Sequence, residues 1–192
     1  MPSYVPFSVG RYGSERSRPL SQTTSSFDDQ FARLFDAHYG RLFRYLNRLS
    51  GEPELAADVL QEAFMRLYRR GSVPDEPGAW LVSVAMNLIR NEKTTRSRRL
   101  RLLTPERGEQ TVADPPPSPD QSTIADEEGV RVRRALDRLE ARERQMLLLC
   151  AEGYRYREIA VALKLNEASI GVMLARARRA FRQAYGETAD AP

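Results

Sequence analysis

An all-α fold of two small helical domains, joined by a flexible acidic linker, is expected from three features of the chain. Apolar residues recur at three-and-four spacing in two separate blocks, 26–103 and 128–186. The stretch between them contains PPPSP, which no helix accommodates. The second block also reads as a short helix, a tight turn and a capped long helix, the pattern of a helix-turn-helix.

In the first block, Ser26 suits a helix cap, and Phe27, Phe31, Leu34, Phe35, Tyr39, Leu42, Phe43, Leu46 and Leu49 trace one face for about six turns. Gly51 ends that helix and Pro53 suits the first turn of the next, which runs to Gly71. The second helix carries Leu55, Val59, Ala63 and Leu67 inward, with Leu60, Phe64 and Tyr68 beside them and Asp58, Gln61 and Glu62 on its remaining side. A loop at 72–78, with Pro74 and Pro77, leads to a third helix over 80–101. There Trp80, Leu81, Val84, Ala85, Leu88 and Ile89 form one buried stripe. Ser83, Asn87, Arg90 and Thr94 lie opposite, and Arg96, Arg98, Arg99 and Arg101 follow. Such a helix suits a nucleic-acid strand, since arginines pair with phosphates and an amide both donates to and accepts from a base edge. A surface helix with a solvated basic tail fits the same residues. Three such helices bury their stripes only against one another, so a three-to-four-helix domain is expected.

Residues 1–25, rich in Ser, Pro and Arg without a period, are expected to be a disordered tail. Residues 104–127 are expected to be a linker. Its acidic part, 108–128, would span roughly 70 Å extended or about 25 Å as a coil. The second domain places Val132, Ala135, Leu136 and Leu139 on one stripe, then a helix over 140–152 stopped by Gly153, and a short helix over 156–163 with Ile159, Ala160 and Leu163 inward. Lys164, Leu165 and Asn166 form the turn. Asn166 caps a last helix that buries Ile170, Leu174, Ala177 and Phe181, which makes a four-helix domain followed by a tail at 187–192.

Composition narrows the function classes. At 192 residues and 41% hydrophobic the chain has no apolar run long enough for membrane insertion, and its beginning lacks the apolar block of a secretory signal, so a cytoplasmic protein is expected. The lone cysteine, Cys150, sits in an apolar run and reads as a buried thiol. The lone histidine, His38, reads as a partly buried packing residue beside Phe35, Tyr39 and Leu42. Neither a metal constellation nor a glycine-rich phosphate loop nor a nucleophile elbow is present, so no metal, cofactor, small-molecule substrate or enzymatic chemistry is expected. The net charge of +4 conceals segregation: seven basic and two acidic residues over 90–107, against six acidic and no basic residues over 108–128.

The motifs HYGRLFRYLNRLSG (38–51), ELAADVLQEAFMRLYR (54–69), PGAWLVSVAMNLIRNE (77–92) and the run 135–181 together resemble a bacterial RNA polymerase sigma factor of the extracytoplasmic-function (ECF) group. The DVLQEAF helix followed by Trp-Leu-x-x-x-Ala-x-Asn is the specific part. The resemblance implies a region 2 domain that binds core polymerase, recognises the −10 element and melts it, and a region 4 helix-turn-helix domain for the −35 element. Asp58, Gln61, Glu62 and Phe64 match the surface that docks on the clamp helices of the largest subunit, and region 4 would meet the flap. Asn87 matches the position that helps hold a flipped nontemplate base, with the loop 72–78 as its pocket. Ser83, Arg90, Lys93, Arg96 and Arg99 would serve the adjoining strand. In region 4 the implied DNA-facing residues are Asn166, Glu167, Ala168, Ser169, Gly171, Val172, Ala175, Arg176, Arg178, Arg179 and Arg182. The acidic linker resembles the segment that threads the RNA path, and the family suggests an anti-sigma factor as partner.

One departure stands out. Gly171, Val172 and Met173 replace the Lys-Ser-Arg usual in the recognition helix, so −35 binding is expected to rest on arginine contacts to phosphates, with weak base discrimination. Two other readings of the chain are a stand-alone helix-turn-helix regulator and a degenerate adaptor that binds polymerase without selecting promoters.

Overall fold

A computed structural model describes the backbone over residues 21–103 and 124–189, and side chains over 27–98 and 127–187. Every element there is a helix: α1 (Ser21–Ser50), α2 (Pro53–Arg70), α3 (Pro77–Leu103), α4 (Ile124–Asp137), α5 (Ala141–Ala151), α6 (Tyr156–Leu163) and α7 (Glu167–Ala189). The helix α1 starts five residues before the expected Ser26 cap, and α4 starts inside the stretch assigned to the linker. Of the tail expected at 1–25, residues 21–25 belong to α1, while residues 1–20 and the proline-rich segment at 104–123 lie outside the described residues. None of the described helices is long and apolar enough to cross a membrane.

Local chemistry accounts for the boundaries. Gly51 and Gly71 adopt left-handed φ of 76° and 67°, which a side chain disfavours, and close α1 and α2. Pro53 opens α2, where its missing N–H would have no helical partner. Lys164, at φ 55°, makes the tight turn between α6 and α7, and the Asn166 side-chain oxygen accepts the Ala168 N–H at 3.0 Å to cap α7.

The helices α1, α2 and α3 pack on one another, and α7 gathers α4, α5 and α6. On α1, Phe27, Phe31, Phe35 and Tyr39 form an aromatic column against Phe64 and Tyr68 of α2, with ring centroids 4.8 to 6.5 Å apart. The two groups of helices also meet: α3 packs on α6 and α1 on α5. One continuous core therefore runs from Leu42, Tyr45 and Leu46 through Leu60, Leu67 and Leu81 to Met146, Leu149, Ile159 and Ile170. Each large apolar side chain buried there stabilises the fold by roughly 1.5–3 kcal/mol.

The helix α3 departs from the single stripe expected of it. Ala79, Val82 and Met86 are buried along with Leu81, Ala85 and Ile89, while Trp80, Val84 and Leu88 are half-buried. A helix covered on two sides needs apolar residues on two sides, and α3 lies between the α1–α2 pair and α6.

Candidate nucleic-acid interface

On α2, Asp58 and Gln61 are exposed and Glu62 is partly so. Arg66 Nε and Arg69 Nη1 donate to Glu62 Oε1 at 2.9 and 3.4 Å, and the Arg66 bond leads in holding the Glu62 carboxyl below the usual carboxylate range. Phe64, which the resemblance places on the docking surface, does not join this strip. It is 3% exposed, with its ring against Phe31, Phe35 and Tyr39. The reason is the aromatic column of α1, which needs a ring from α2 to close it. The apolar side chains that do stand open nearby are Met65 and Tyr68. Met65 was missed, although it lies four residues after Gln61 and three after Glu62, on the same side of the helix.

On α3, Asn87, Arg90, Lys93 and Arg96 are exposed. Successive steps of three turn back by roughly 60°, so these groups wind around the helix instead of forming one straight row. Arg90 Nη1 donates to Asn87 Oδ1 at 3.4 Å, so the amide oxygen of the exposed Asn87 already has a partner within α3. Arg96 Nη1 donates to Glu52 Oε1 at 2.9 Å, tying the basic end of α3 to the start of α2. Arg99 belongs to α3, but its side chain lies outside the described residues. Ser83 was expected on the open face and is instead turned toward α6. Its hydroxyl lies 2.9 Å from the Ala79 carbonyl and 3.3 Å from that of Ala162. The expected loop 72–78 is shorter, because α3 already starts at Pro77, and this stretch is engaged in the same way, with Glu76 paired to Arg157 of α6 at 2.7 Å and Gly78 buried.

On α7, Glu167, Ala168, Ser169, Gly171, Val172 and Ala175 are all exposed, Val172 at 76%. A Cβ at Gly171 would meet the Tyr156 ring at an ordinary 3.8 Å, so packing within the protein does not require glycine there. Arg176 pairs with Glu143 at 3.4 Å, while Arg179 and Arg182 are exposed farther along. Arg178 Nη2 lies 3.5 Å from Cys150 Sγ. Cys150 is half-buried, not fully buried as expected. Tyr156, beside Gly171 and exposed, was not singled out, and nothing in the spacing of α6 marks it.

A basic, amide-bearing helix on one bundle and a capped helix-turn-helix on the other together offer two separate contacts to polyanionic DNA. Comparison with known proteins agrees. Residues 34–99 match the family model for Sigma-70 region 2, and residues 129–181 match that for Sigma-70, region 4. The ECF RNA polymerase sigma factor SigL of Mycobacterium tuberculosis is 32% identical over 159 residues, covering 78% of this chain and 85% of that protein. SigE of Mycolicibacterium smegmatis is 31% identical over 78% of this chain and 59% of its own length. RfaY of Xanthomonas campestris pv. campestris, a probable RNA polymerase sigma factor, is 33% identical over 85% and 42%. The chain thus spans about two fifths to three fifths of those two relatives. Among solved structures, CnrH in complex with the cytosolic domain of CnrY matches at TM-score 0.60 and 22% identity, over 89% of this chain and 96% of that one. The sigma factor RpoE with the anti-sigma factor NepR from Bartonella quintana matches at TM-score 0.57 and 19% identity, over 83% and 96%. These two support the fold.

Proposed function

Because the chain belongs to the extracytoplasmic-function group of the sigma-70 family, we propose that it binds core RNA polymerase in the cytoplasm and directs promoter recognition, melting and initiation. It works by binding, not by covalent chemistry. The observation that carries this reading is the exposed Asn87–Arg90–Lys93 segment of α3, on a helix that packs against α2 with its exposed Asp58 and Gln61. Docking through Asp58, Gln61 and Glu62, with Met65 beside them, would deliver α3 to the opening duplex. An unstacked base held near Asn87 would offset the few kcal/mol needed to open it.

The domain limits follow from the same reading: 26–103 as region 2, 104–127 as linker and 128–186 as region 4. The exposed positions Ala168, Gly171, Val172 and Ala175 of α7 carry no side-chain hydrogen-bonding groups for base edges. The −35 contact therefore leans on Arg179 and Arg182, with weak discrimination. The two solved neighbours are each bound to a second protein, named an anti-sigma factor in one case, and a partner of that kind is part of this proposal.

Run-off transcription with purified core polymerase tests the reading, with transcripts sequenced to obtain the promoter. Discrete start sites that disappear with Asn87→Ala are expected. Capture of core without any directed transcript would identify an adaptor instead, and no capture would overturn the proposal.

A further inference from the structure

The seam where α1–α3 meet α4–α7 pairs the arginines of α1 with acids. Arg41 meets Glu158 at 3.0 Å, and Arg44 and Arg48 meet the buried carboxylate of Glu152 at 2.8 and 2.6 Å. Another part of the same seam is built differently. Helices α3 and α5 both pack on α1, and residues of all three line a concave cavity of about 520 Å³, within the ordinary range of small-molecule sites.

The sequence of α3 accounts for its character. Met86 and Ile89 continue at helical spacing into Arg90, Lys93, Ser97 and Arg98, so one face of the helix changes from apolar to cationic along the length of the cavity. Leu49 of α1, Met86 and Ile89 form the apolar part of the lining, and α5 adds Arg144 and the amide of Gln145. Four cations therefore meet here, and no carboxylate is among the residues that line the space. Ala141, the first residue of α5, lies there too, so the positive end of that helix adds to the same field. Arg144 donates through Nη1 to Asp137 at 2.7 Å, but its Nε is buried with no hydrogen-bond partner among the described residues. A buried donor of that kind calls for an acceptor.

We propose that this cavity binds a nucleoside polyphosphate, with its phosphates between Arg144 and the cations of α3 and its base against Leu49, Met86 and Ile89. The cations repel one another when the cavity holds only water, and a compact polyanion removes that cost. A nucleic-acid strand suits the space less well. It spreads its charge along a backbone, whereas the cavity gathers four cations around the room of one small molecule. Arg90 and Lys93 are also the groups offered to the promoter strand, so a bound nucleotide competes with that strand. No bond is made or broken. The competition rests on the sigma-factor reading, while the site itself does not.

Calorimetric titration of the full chain, without divalent cations, tests the site with ATP, inorganic triphosphate and adenosine. ATP is expected to bind about tenfold more tightly than inorganic triphosphate, the increment of a base set on an apolar surface, and adenosine not measurably. Gln145→Glu and Ser97→Glu each put a carboxylate among the cations and should weaken ATP about tenfold. Arg33→Gln removes an exposed cation of α1 outside the cavity and should change nothing. ATP should also displace a fluorescent single-stranded oligonucleotide from the parent chain, and from Gln145→Glu only at about tenfold higher concentration. Absence of saturable ATP binding, equal affinity for ATP and inorganic triphosphate, or equal losses in Arg33→Gln and Gln145→Glu would overturn the site. An oligonucleotide that stays bound at saturating ATP would overturn the sharing of Arg90 and Lys93 by the two ligands. A chain that takes up ATP as expected but never initiates with core polymerase would instead overturn the sigma-factor reading and leave the site in place.

Discussion

Arg48 of α1 and Glu152 at the end of α5 are 104 positions apart in the chain and meet at 2.6 Å, with Arg44 on the other carboxylate oxygen at 2.8 Å. The carboxylate is almost wholly buried, while the arginines remain 57% and 53% exposed. Water therefore screens part of the attraction, and the value of the pair falls below that of a fully buried one.

Replacing Glu152 with Gln should cost about 1–2 kcal/mol in urea unfolding, because two ion-paired bonds to a carboxylate become at most one bond to an uncharged amide oxygen. Glu62→Gln, on the open side of α2, should leave the midpoint unchanged. Equal effects from the two substitutions would show that the buried setting of Glu152 contributes nothing.

Tyr45→Phe should be neutral or stabilising by about 1 kcal/mol. The Tyr45 hydroxyl is buried without a partner, and burial pushes its phenol well above the ordinary range, a sign that the site is poor at solvating a polar group. Phenylalanine keeps the ring volume and removes the unmatched oxygen. A loss greater than about 1 kcal/mol would mean that the hydroxyl has a partner in solution.

Little of this seam was legible in the sequence. The period of three and four marked the buried residues Val59, Ala63 and Leu67 of α2 and Ile159, Ala160 and Leu163 of α6 correctly. The arginine row of α1 carries no mark of its role, since its acidic partners lie 104 to 117 residues away and spacing within a helix gives no sign of them. A trace did exist in α3: Ala79, Val82 and Met86 form a second apolar strip beside the first, more than one packing surface requires. Phe64 was also decidable, for the run Phe27, Phe31, Phe35, Tyr39 on α1 demands an aromatic partner on α2.

The pH dependence of stability should report His38. Burial comes first in lowering its pKa from 6.5; Arg41 lowers it further and Glu158 opposes. Its Nδ1 lies 2.7 Å from Arg41 Nη2 and, as the acceptor there, must be unprotonated. A base whose pKa falls on folding binds more protons when unfolded. Its contribution is complete above pH 6.5 and is lost as pH drops through the lowered value. Thermal midpoints should decline between pH 7 and 5 in the parent and stay flatter in His38→Gln. Parallel curves would exclude His38 as the source.

Gly171→Ala should raise stability by about 1 kcal/mol, or a few degrees in Tm, since the glycine sits within α7 and the nearest atom to an added Cβ is at 3.8 Å. If DNA affinity falls while stability rises, the glycine serves the approach of the duplex backbone. A drop in stability would mean that the Tyr156 ring packs more closely than the contact allows.

Salt dependence separates the arginines of α7. Each phosphate contact releases about 0.9 of a counterion, so log affinity falls more steeply with log salt as contacts are added. Arg179 and Arg182 are exposed along the last turns, and removing both should flatten the slope by about two while weakening all sequences alike. Arg176 is already paired with Glu143 and must give up that partner to reach a phosphate. Arg176→Ala should therefore change the slope less than either neighbour does alone. A larger change at Arg176 would mean that Glu143 presents the guanidinium to DNA, and α5 would then share in holding the duplex.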